Sequence, residues 1–275
     1  MRNTLANNIG RVEVEGSGCA PAFWMVETYN DERQARTEMQ RVREAQASLF
    51  PRKLPILETL TYGGVCVQAS QFGGDHYDFL DLGNGCLGIV ISDVAGKGLG
   101  AALQMASLRA TVRSLCLGKA LGGLEDLLDT VNRLFHESSP LGCFATLFFA
   151  EYDDHSRRLR YVNCGHCAPL LVRRDGTVAR LESTCGVLGL FETLHCCAAE
   201  VRLEPGDMLL LYTDGASESC SAEGDEFGDE RLIDLLRSHP HLTVSALLQA
   251  ILDAVREFSH GQQDDLTLVC ARCEA

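Results

Sequence analysis

Four short strings place carboxylates where apolar runs end. Asp75 lies in Gly73-Gly74-Asp75-His76-Tyr77-Asp78-Phe79 and Asp93 in Ile91-Ser92-Asp93-Val94-Ala95-Gly96-Lys97-Gly98. Asp214 lies in Leu211-Tyr212-Thr213-Asp214-Gly215, and Asp264 and Asp265 in Gln262-Gln263-Asp264-Asp265-Leu266-Thr267. Each carboxylate sits at one end of a β-like run, beside glycine or another polar residue. Carboxylates converging on one point repel, and a hard divalent cation such as Mg²⁺ or Mn²⁺ removes the conflict through oxygen ligands and water. Two such ions sharing a carboxylate lower the pKa of water towards neutrality and clamp a phosphoryl group. Taken singly, each Asp reads more readily as a turn residue or helix cap; the four together, with their neighbours, shift the weight to the metal reading.

The elements that must position these residues are short strands and paired helices. From Thr61 onward, Val65 to Ser70, Tyr77 to Leu82 and Leu87 to Ser92 are β-like runs broken by glycine. Helices are expected over about Ala101–Leu117 and Leu124–Phe135, the second with Leu124, Leu127, Leu128, Val131, Leu134 and Phe135 on one face. Strands return at Phe144–Tyr152, Leu159–Asn163, Leu170–Arg173 and Met208–Tyr212, then helices near Asp229–Arg237 and Val244–Phe258, with Thr243 as cap, and a last strand at Leu266–Ala271. Clustered strands with paired helices, rather than strict alternation, predict an α+β fold. Pairing of the last strand with the early ones would make this region one domain. Upstream, Asn30 or Asp31 is expected to cap a helix running to about Leu49, which Pro51 and Pro55 then stop. Its narrow stripe of Met39, Val42, Ala45 and Leu49 suits docking on a neighbour or on a second copy. Residues Met1 to about Tyr29 show no period and read as a tail or small docking segment.

Composition narrows the function classes. The 275 residues carry 24 Lys plus Arg against 38 Asp plus Glu, a formal net charge of −14. Such acidity argues against a broad basic face for nucleic acid or an anionic membrane. No apolar run approaches the ~18–20 residues of a membrane span, and the N-terminus lacks a basic segment leading into an apolar one. The 13 cysteines, odd in number and irregular in spacing, do not read as a closed disulfide framework. The thiols are therefore expected to be reduced, in a cytoplasm.

Eight strings carry a resemblance. EAQASLFPRKLP, FGGDHYDF, DVAGKGLGAALQMASLRATVR, FATLFFAEYD, YVNCGHCAPLLV, LEPGDMLLLYTDGASE, EFGDERL and QDDLTLV, in this order from Glu44 to Val269, resemble the PPM family (type 2C) of metal-dependent Ser/Thr protein phosphatases, in its bacterial SpoIIE/RsbU-like branch. The resemblance implies an α-β-β-α sandwich of two stacked antiparallel sheets flanked by helices. It implies a phosphatase domain over 51–275, preceded by a tail and regulatory or linker helix over 1–50. It further implies two divalent ions, Mn²⁺ or Mg²⁺, with Asp93 bridging them. Asp214 and Asp264 would complete one ion's ligands, the Val94 carbonyl would join Asp93 on the other, and Asp75 would bind directly or through water. Asp93, Asp214 and Asp264 are thus the expected catalytic set; Asp265 and Asp78 are expected to be structural. The implied reaction is hydrolysis of protein phosphoserine or phosphothreonine by a water that the two metal ions activate, with no cysteine needed as nucleophile. The implied substrate is a phosphorylated STAS-type anti-sigma-factor antagonist in a bacterial partner-switching pathway. Animal members place an Arg near the phosphate where this chain has Ser70 and Gln71, so Lys97 and the N–H groups of Gly96 to Gly98 at a helix start become the expected phosphate contacts. The helix over Asp31–Leu49 resembles the linker to sensory domains in this branch; with only about 30 residues before it, too few for a sensor, it is expected to dimerise or dock a separate regulator.

Rival readings are weaker. Gly96-x-Gly98-x-x-Ala101 fits a dinucleotide fingerprint, but no second strand ending in an acid follows at the required distance. A Walker motif fails at Ile91 and Gly98, and Gly-Gly-Asp followed by His76-Tyr77 departs from the cyclase signature. Cys164-Gly165-His166-Cys167 has the spacing of a redox pair or half a zinc site. Its match to a family turn makes Asn163, Gly165 and His166 structural instead. A catalytically inactive adaptor of the same fold remains the other class of function.

Overall fold

The structure, a computed structural model, describes residues 23–118 and 122–275. The expected tail thus lies largely outside the described residues. Residues Arg43–Ala275 form one compact unit. The element order is α1 (Phe23–Ala47), β1 (Leu60–Val67), β2 (His76–Gly83), β3 (Cys86–Val94), α2 (Leu99–Gly118), α3 (Leu124–Ser138), β4 (Ala145–Asp153) and β5 (Arg158–Cys164). It continues with β6 (Leu170–Val172), β7 (Val178–Arg180), β8 (Ala199–Arg202), β9 (Met208–Tyr212), α4 (Asp214–Ser217), α5 (Gly228–Ser238), α6 (Val244–Phe258) and β10 (Leu266–Cys273).

Two five-stranded antiparallel sheets result, ordered β1-β10-β9-β6-β7 and β2-β3-β4-β5-β8. The α+β sandwich expected from the sequence is therefore present. The pattern of β3 shows why it forms. Leu87, Ile89 and Ile91 point into the layer between the sheets, whereas Val90 and Val94 point to the helices. A strand buried on both faces needs a near-continuous apolar run, and alternation then sorts its residues between two cores. β9 does the same, with Leu209 and Leu211 inward and Met208, Leu210 and Tyr212 under α5 and α6. Helices α2 and α3 cover the other sheet through Met105, Leu108, Leu128, Val131 and Phe135.

The antiparallel register brings the acidic strings to one end. His76 at the start of β2 faces Ser92 near the end of β3, and Asp93 faces Thr146 on β4. In the other sheet Tyr212, the last residue of β9, faces Leu268 on β10.

Several boundaries differ from expectation. Helix α1 starts at Phe23, so Asn30 and Asp31 lie inside it rather than at its start. A capping residue type marks a helix start only where the chain upstream does not already continue the helix. The Met39, Val42 and Ala45 stripe is exposed, and Gln46 is the buried residue near the helix end. β1 runs from Leu60 to Val67 rather than on to Ser70. The three-residue β7, the four-residue β8 and the four-residue α4 are too short to show a period. Thr243 does cap α6, its side chain accepting from the Ala246 N–H at 3.3 Å.

Phe148 is fully buried between the sheets and stacks on Tyr161 with ring centroids 5.3 Å apart. Phe148→Ala should cost about 3–5 kcal/mol in urea unfolding through lost burial and a residual cavity. A loss under about 1 kcal/mol would mean that the inter-sheet layer is not the main core.

Candidate metal and active site

Asp75 stands at the seam of the two sheets. It precedes β2 of one sheet, yet its Oδ2 accepts hydrogen bonds from Thr213 Oγ1 (2.8 Å) and Thr267 Oγ1 (2.6 Å) of the other. Thr213 ends the β9 side and Thr267 belongs to β10, joined by the Thr213 N–H to the Thr267 carbonyl at 3.1 Å. Burial, then the Asp93 charge, raises the Asp75 carboxyl well above the usual range, and the two threonine hydroxyls only partly offset this. Asp93 is pushed up to about 6, first by burial and then by Asp214 and Asp264, while a hydrogen bond with Asp75 lowers it. Asp214 opens α4 and is raised by burial and by Asp264.

The Val94 carbonyl is held in the same place by close approach of the loop that carries Asp75. A Cβ on Gly74 would sit 2.5 Å from the Val94 oxygen and 3.4 Å from Asp93 Oδ1, so only glycine lets this loop lie against the end of β3. The loop is also tied from outside: Gln46 Nε2 donates to the Gly73 carbonyl at 2.7 Å. Asp75, Asp93, the Val94 oxygen, Asp214 and Asp264 thus gather at one end of the sandwich. Their unbalanced negative charge and oxygen-only chemistry fit hard divalent cations.

Asp214 and Asp264 line a cavity of about 110 Å³ together with Lys97, Gly215, Glu218 and Gln263. Lys97 is mostly exposed; its Nζ lies 2.7 Å from Asp264 Oδ2 and donates to the Gln263 carbonyl at 2.9 Å. The hydrogen bond with Asp264 raises the Lys97 ammonium pKa. Gly96 and Gly98 flank it at φ 108° and 76°, left-handed conformations that favour glycine, just before α2 begins at Leu99.

Asp265 is buried at the back of the site. Its Oδ1 accepts from the Ala69 N–H at 2.8 Å, and its own N–H donates to Asp264 Oδ1 at 2.9 Å. Asp78 is 1% exposed and pairs with Arg113 at 2.5 Å and Arg109 at 3.5 Å beneath α2, away from the cavity. Thr213, Thr267, Glu218 and Gln46 have no role expected from the sequence. The threonines had a signal, since a hydroxyl beside Asp in both Thr213-Asp214 and Asp265-Leu266-Thr267 offers a donor to a neighbouring carboxylate. Gln46 had none, because its partner is a backbone carbonyl 27 residues away.

The Asn163–His166 turn is structural. Asn163 Oδ1 accepts from the His166 N–H at 2.8 Å, and its Nδ2 donates to the His166 and Leu181 carbonyls. Cys164 and Cys167 face different cores, Cys164 under α3 and Cys167 beside α5 and α6, so they are not a pair. Cys270 and Cys273 likewise belong to different cores.

Comparison with known proteins agrees with this fold. The family model of stage II sporulation protein E (SpoIIE) matches residues 83–274, well over half of the chain. This chain therefore belongs to the SpoIIE family, within the SpoIIE/RsbU branch of PPM (type 2C) phosphatases. The matched span contains Asp93, Asp214 and Asp264 and begins just after Asp75. Protein IcfG of Synechocystis is 29% identical over 85% of this chain but only 41% of its own length. Phosphoserine phosphatase RsbU of Bacillus subtilis is 28% identical over 88% of this chain and 71% of its own. Among solved structures, the RsbU and RsbW domains of Rv1364c from Mycobacterium tuberculosis align at TM-score 0.70 and 28% identity, over 81% of this chain and 63% of that one. The SiaA-PP2C domain of Pseudomonas aeruginosa shares the fold at TM-score 0.75 and 22% identity, over 88% of this chain and 98% of that one.

His166 is buried, its Nδ1 2.7 Å from Thr146 Oγ1, and burial lowers its pKa from 6.5 to about 4. The folded state therefore holds it neutral while the unfolded chain protonates near 6.5. Its contribution is full above pH 6.5 and is lost as pH falls towards 4. Wild type should lose roughly 2 kcal/mol more than His166→Gln between pH 7 and pH 5 in urea unfolding. Equal losses in the two proteins would contradict the buried neutral imidazole.

Proposed function

We propose that this chain is a metal-dependent protein serine/threonine phosphatase. The observation that carries the reading is the gathering of Asp75, Asp93, Asp214 and Asp264 from both sheets, with burial and mutual repulsion raising three of them. Two divalent ions, Mn²⁺ or Mg²⁺, fit this donor set, and solved type 2C relatives were crystallised with magnesium and with two manganese ions. In this reading Asp75, Asp93, the Val94 carbonyl, Asp214 and Asp264 would hold the ions. When bound, the ions supply an acidified water and the positive charge that a phosphoryl group needs.

The chain's own groups do the rest. Thr213 and Thr267 fix the orientation of Asp75, and Gly74 keeps space open at the Val94 oxygen. Lys97 and the N–H groups around Gly96–Gly98, at the positive end of α2, bind phosphate oxygens. For Lys97 this requires exchanging its Asp264 partner for substrate. The phosphorus–oxygen ester bond breaks, water supplies the new oxygen, and the free serine or threonine hydroxyl leaves with a proton. The cavity is open and polar, which suits a phosphorylated segment of a protein.

The substrate class we favour is a STAS-type anti-sigma-factor antagonist in a bacterial cytoplasm. RsbU of Bacillus subtilis carries the name phosphoserine phosphatase, and the Mycobacterium tuberculosis relative joins RsbU and RsbW domains in one structure. No helix among the described residues is long and apolar enough to cross a membrane. Residues 51–275 form the catalytic domain in this reading, and 1–50 a regulatory segment. The exposed Met39 and Val42 on α1 then meet a second copy or a regulator. The Lys97–Asp264 ion pair is the one observation that favours an inactive adaptor, since an ammonium sits where a cation would.

Release of phosphate from a phospho-STAS protein should require Mn²⁺ or Mg²⁺, stop on chelation, and fall at least ~100-fold in Asp93→Asn. Equal rates in wild type and variant would reject the phosphatase reading and leave the adaptor. Light scattering should give a dimer mass for the full chain and a monomer mass after truncation through Leu49; monomers in both cases would assign α1 to a separate regulator.

A further inference from the structure

Cys164, Cys185 and Cys196 form a thiol cluster that shares no residue with the carboxylate site. Cys164 is fully buried at the end of β5, and Cys185 lies beside it in a parallel bridge. Cys196, half-buried, comes from the end of the 181–198 connection between β7 and β8. Cys185 Sγ is 3.2 Å from Cys164 Sγ and 3.0 Å from Cys196 Sγ, and all three sulfurs lie within 4.8 Å of one another. Backbone bonds set the position independently of the sulfurs: the Thr184 and Cys185 N–H groups both donate to the Asn163 carbonyl, at 2.9 and 3.1 Å.

A disulfide joins two sulfurs at about 2.05 Å and leaves the third without a partner. An ion of the zinc class uses all three. Zinc–thiolate bonds of about 2.3 Å in a tetrahedron hold sulfurs about 3.8 Å apart, a small outward shift from the present spacing. Soft thiolates select such ions over the hard cations suited to aspartate.

We propose that Cys164, Cys185 and Cys196 are a three-thiolate site for a zinc-class cation. Binding releases the thiol protons to solvent, with no change of oxidation state. Water takes the fourth position. The role is structural. Eighteen residues with almost no regular structure are a long connection for a compact domain. This one is fastened at Leu188, which bridges to Ala145, and at Gly189, whose N–H donates to Asn132 Oδ1 at 2.8 Å. Between these fastenings and Cys196 it exposes Leu190 and Phe191, at 42% and 65%. An ion on Cys185 and Cys196 ties both flanks of that apolar tip to β5.

The test uses metal alone on full-length protein kept reduced with a non-thiol reductant. Co²⁺ should give a thiolate-to-metal charge-transfer band, which carboxylates do not produce, and Zn²⁺ should bleach it. The band should persist in Asp93→Asn and disappear in Cys185→Ser and in Cys196→Ser. Zn²⁺ at a hundredfold excess over its dissociation constant should raise the Tm of Asp93→Asn by roughly 5–10 °C, and should not raise that of Asp93→Asn/Cys185→Ser. Absence of the band in folded wild type, or an undiminished band in either cysteine variant, would overturn the proposal. The wild-type titration decides even if a cysteine variant fails to fold.

Discussion

Like charges must be held together at one end of this sandwich, and much of the local structure exists to hold them. Asp75 shows how. A carboxyl that is 2% exposed bears a desolvation cost that only hydrogen bonds or a counter-charge can offset. Its two donors, Thr213 and Thr267, belong to the opposite sheet, so the same contact that makes its burial tolerable also locks the sheets in register at that end. Gly73 and Gly74 let its loop lie against Asp265 and the Val94 carbonyl, where a Cβ on either would collide. Stability and site geometry are one arrangement here.

The acidic residues outside that end are handled differently. Asp78 is buried too, but it has Arg109 and Arg113. Asp207 is buried with Arg173 at 2.6 Å. Asp154 takes the Glu58 and Thr59 N–H groups. Each buried carboxylate away from the site thus has a cation or several N–H donors. Asp93 and Asp214 have chiefly other carboxylates as electrostatic neighbours. That difference sets the end of the sandwich apart electrostatically, and it separates Asp75 from Asp78, three residues further along the same string.

Much was legible in the sequence because burial leaves a period. β3 and β9 are apolar throughout since both faces are covered, and α3 and α6 show their inner faces at helical spacing. The strand-end position of the carboxylates followed from the same patterns. Illegible were elements too short to carry a period and contacts that join distant segments to backbone. α1 shows both limits, with its start displaced from the capping residues and its buried position at Gln46, whose partner is a carbonyl oxygen. Cys164 shows the second limit again. Its neighbour in sequence spacing, Cys167, points to another core, while Cys185 and Cys196 come from an irregular connection.

The sequence alone determined which residue types stand at the ends of which apolar runs, and with them the fold class and the family. It also determined that Gly96 and Gly98 flank Lys97 before a helix. Tertiary structure decided which carboxylates share one volume. Antiparallel pairing returns β3, β9 and β10 to the same end only after chain separations that no local pattern spans, and only the packing of two sheets places Thr213 and Thr267 on Asp75. Electrostatic energy depends on distance through the fold and on exclusion of water. For that reason one Asp becomes a paired structural anion and another stays among like charges, although their local sequences look alike.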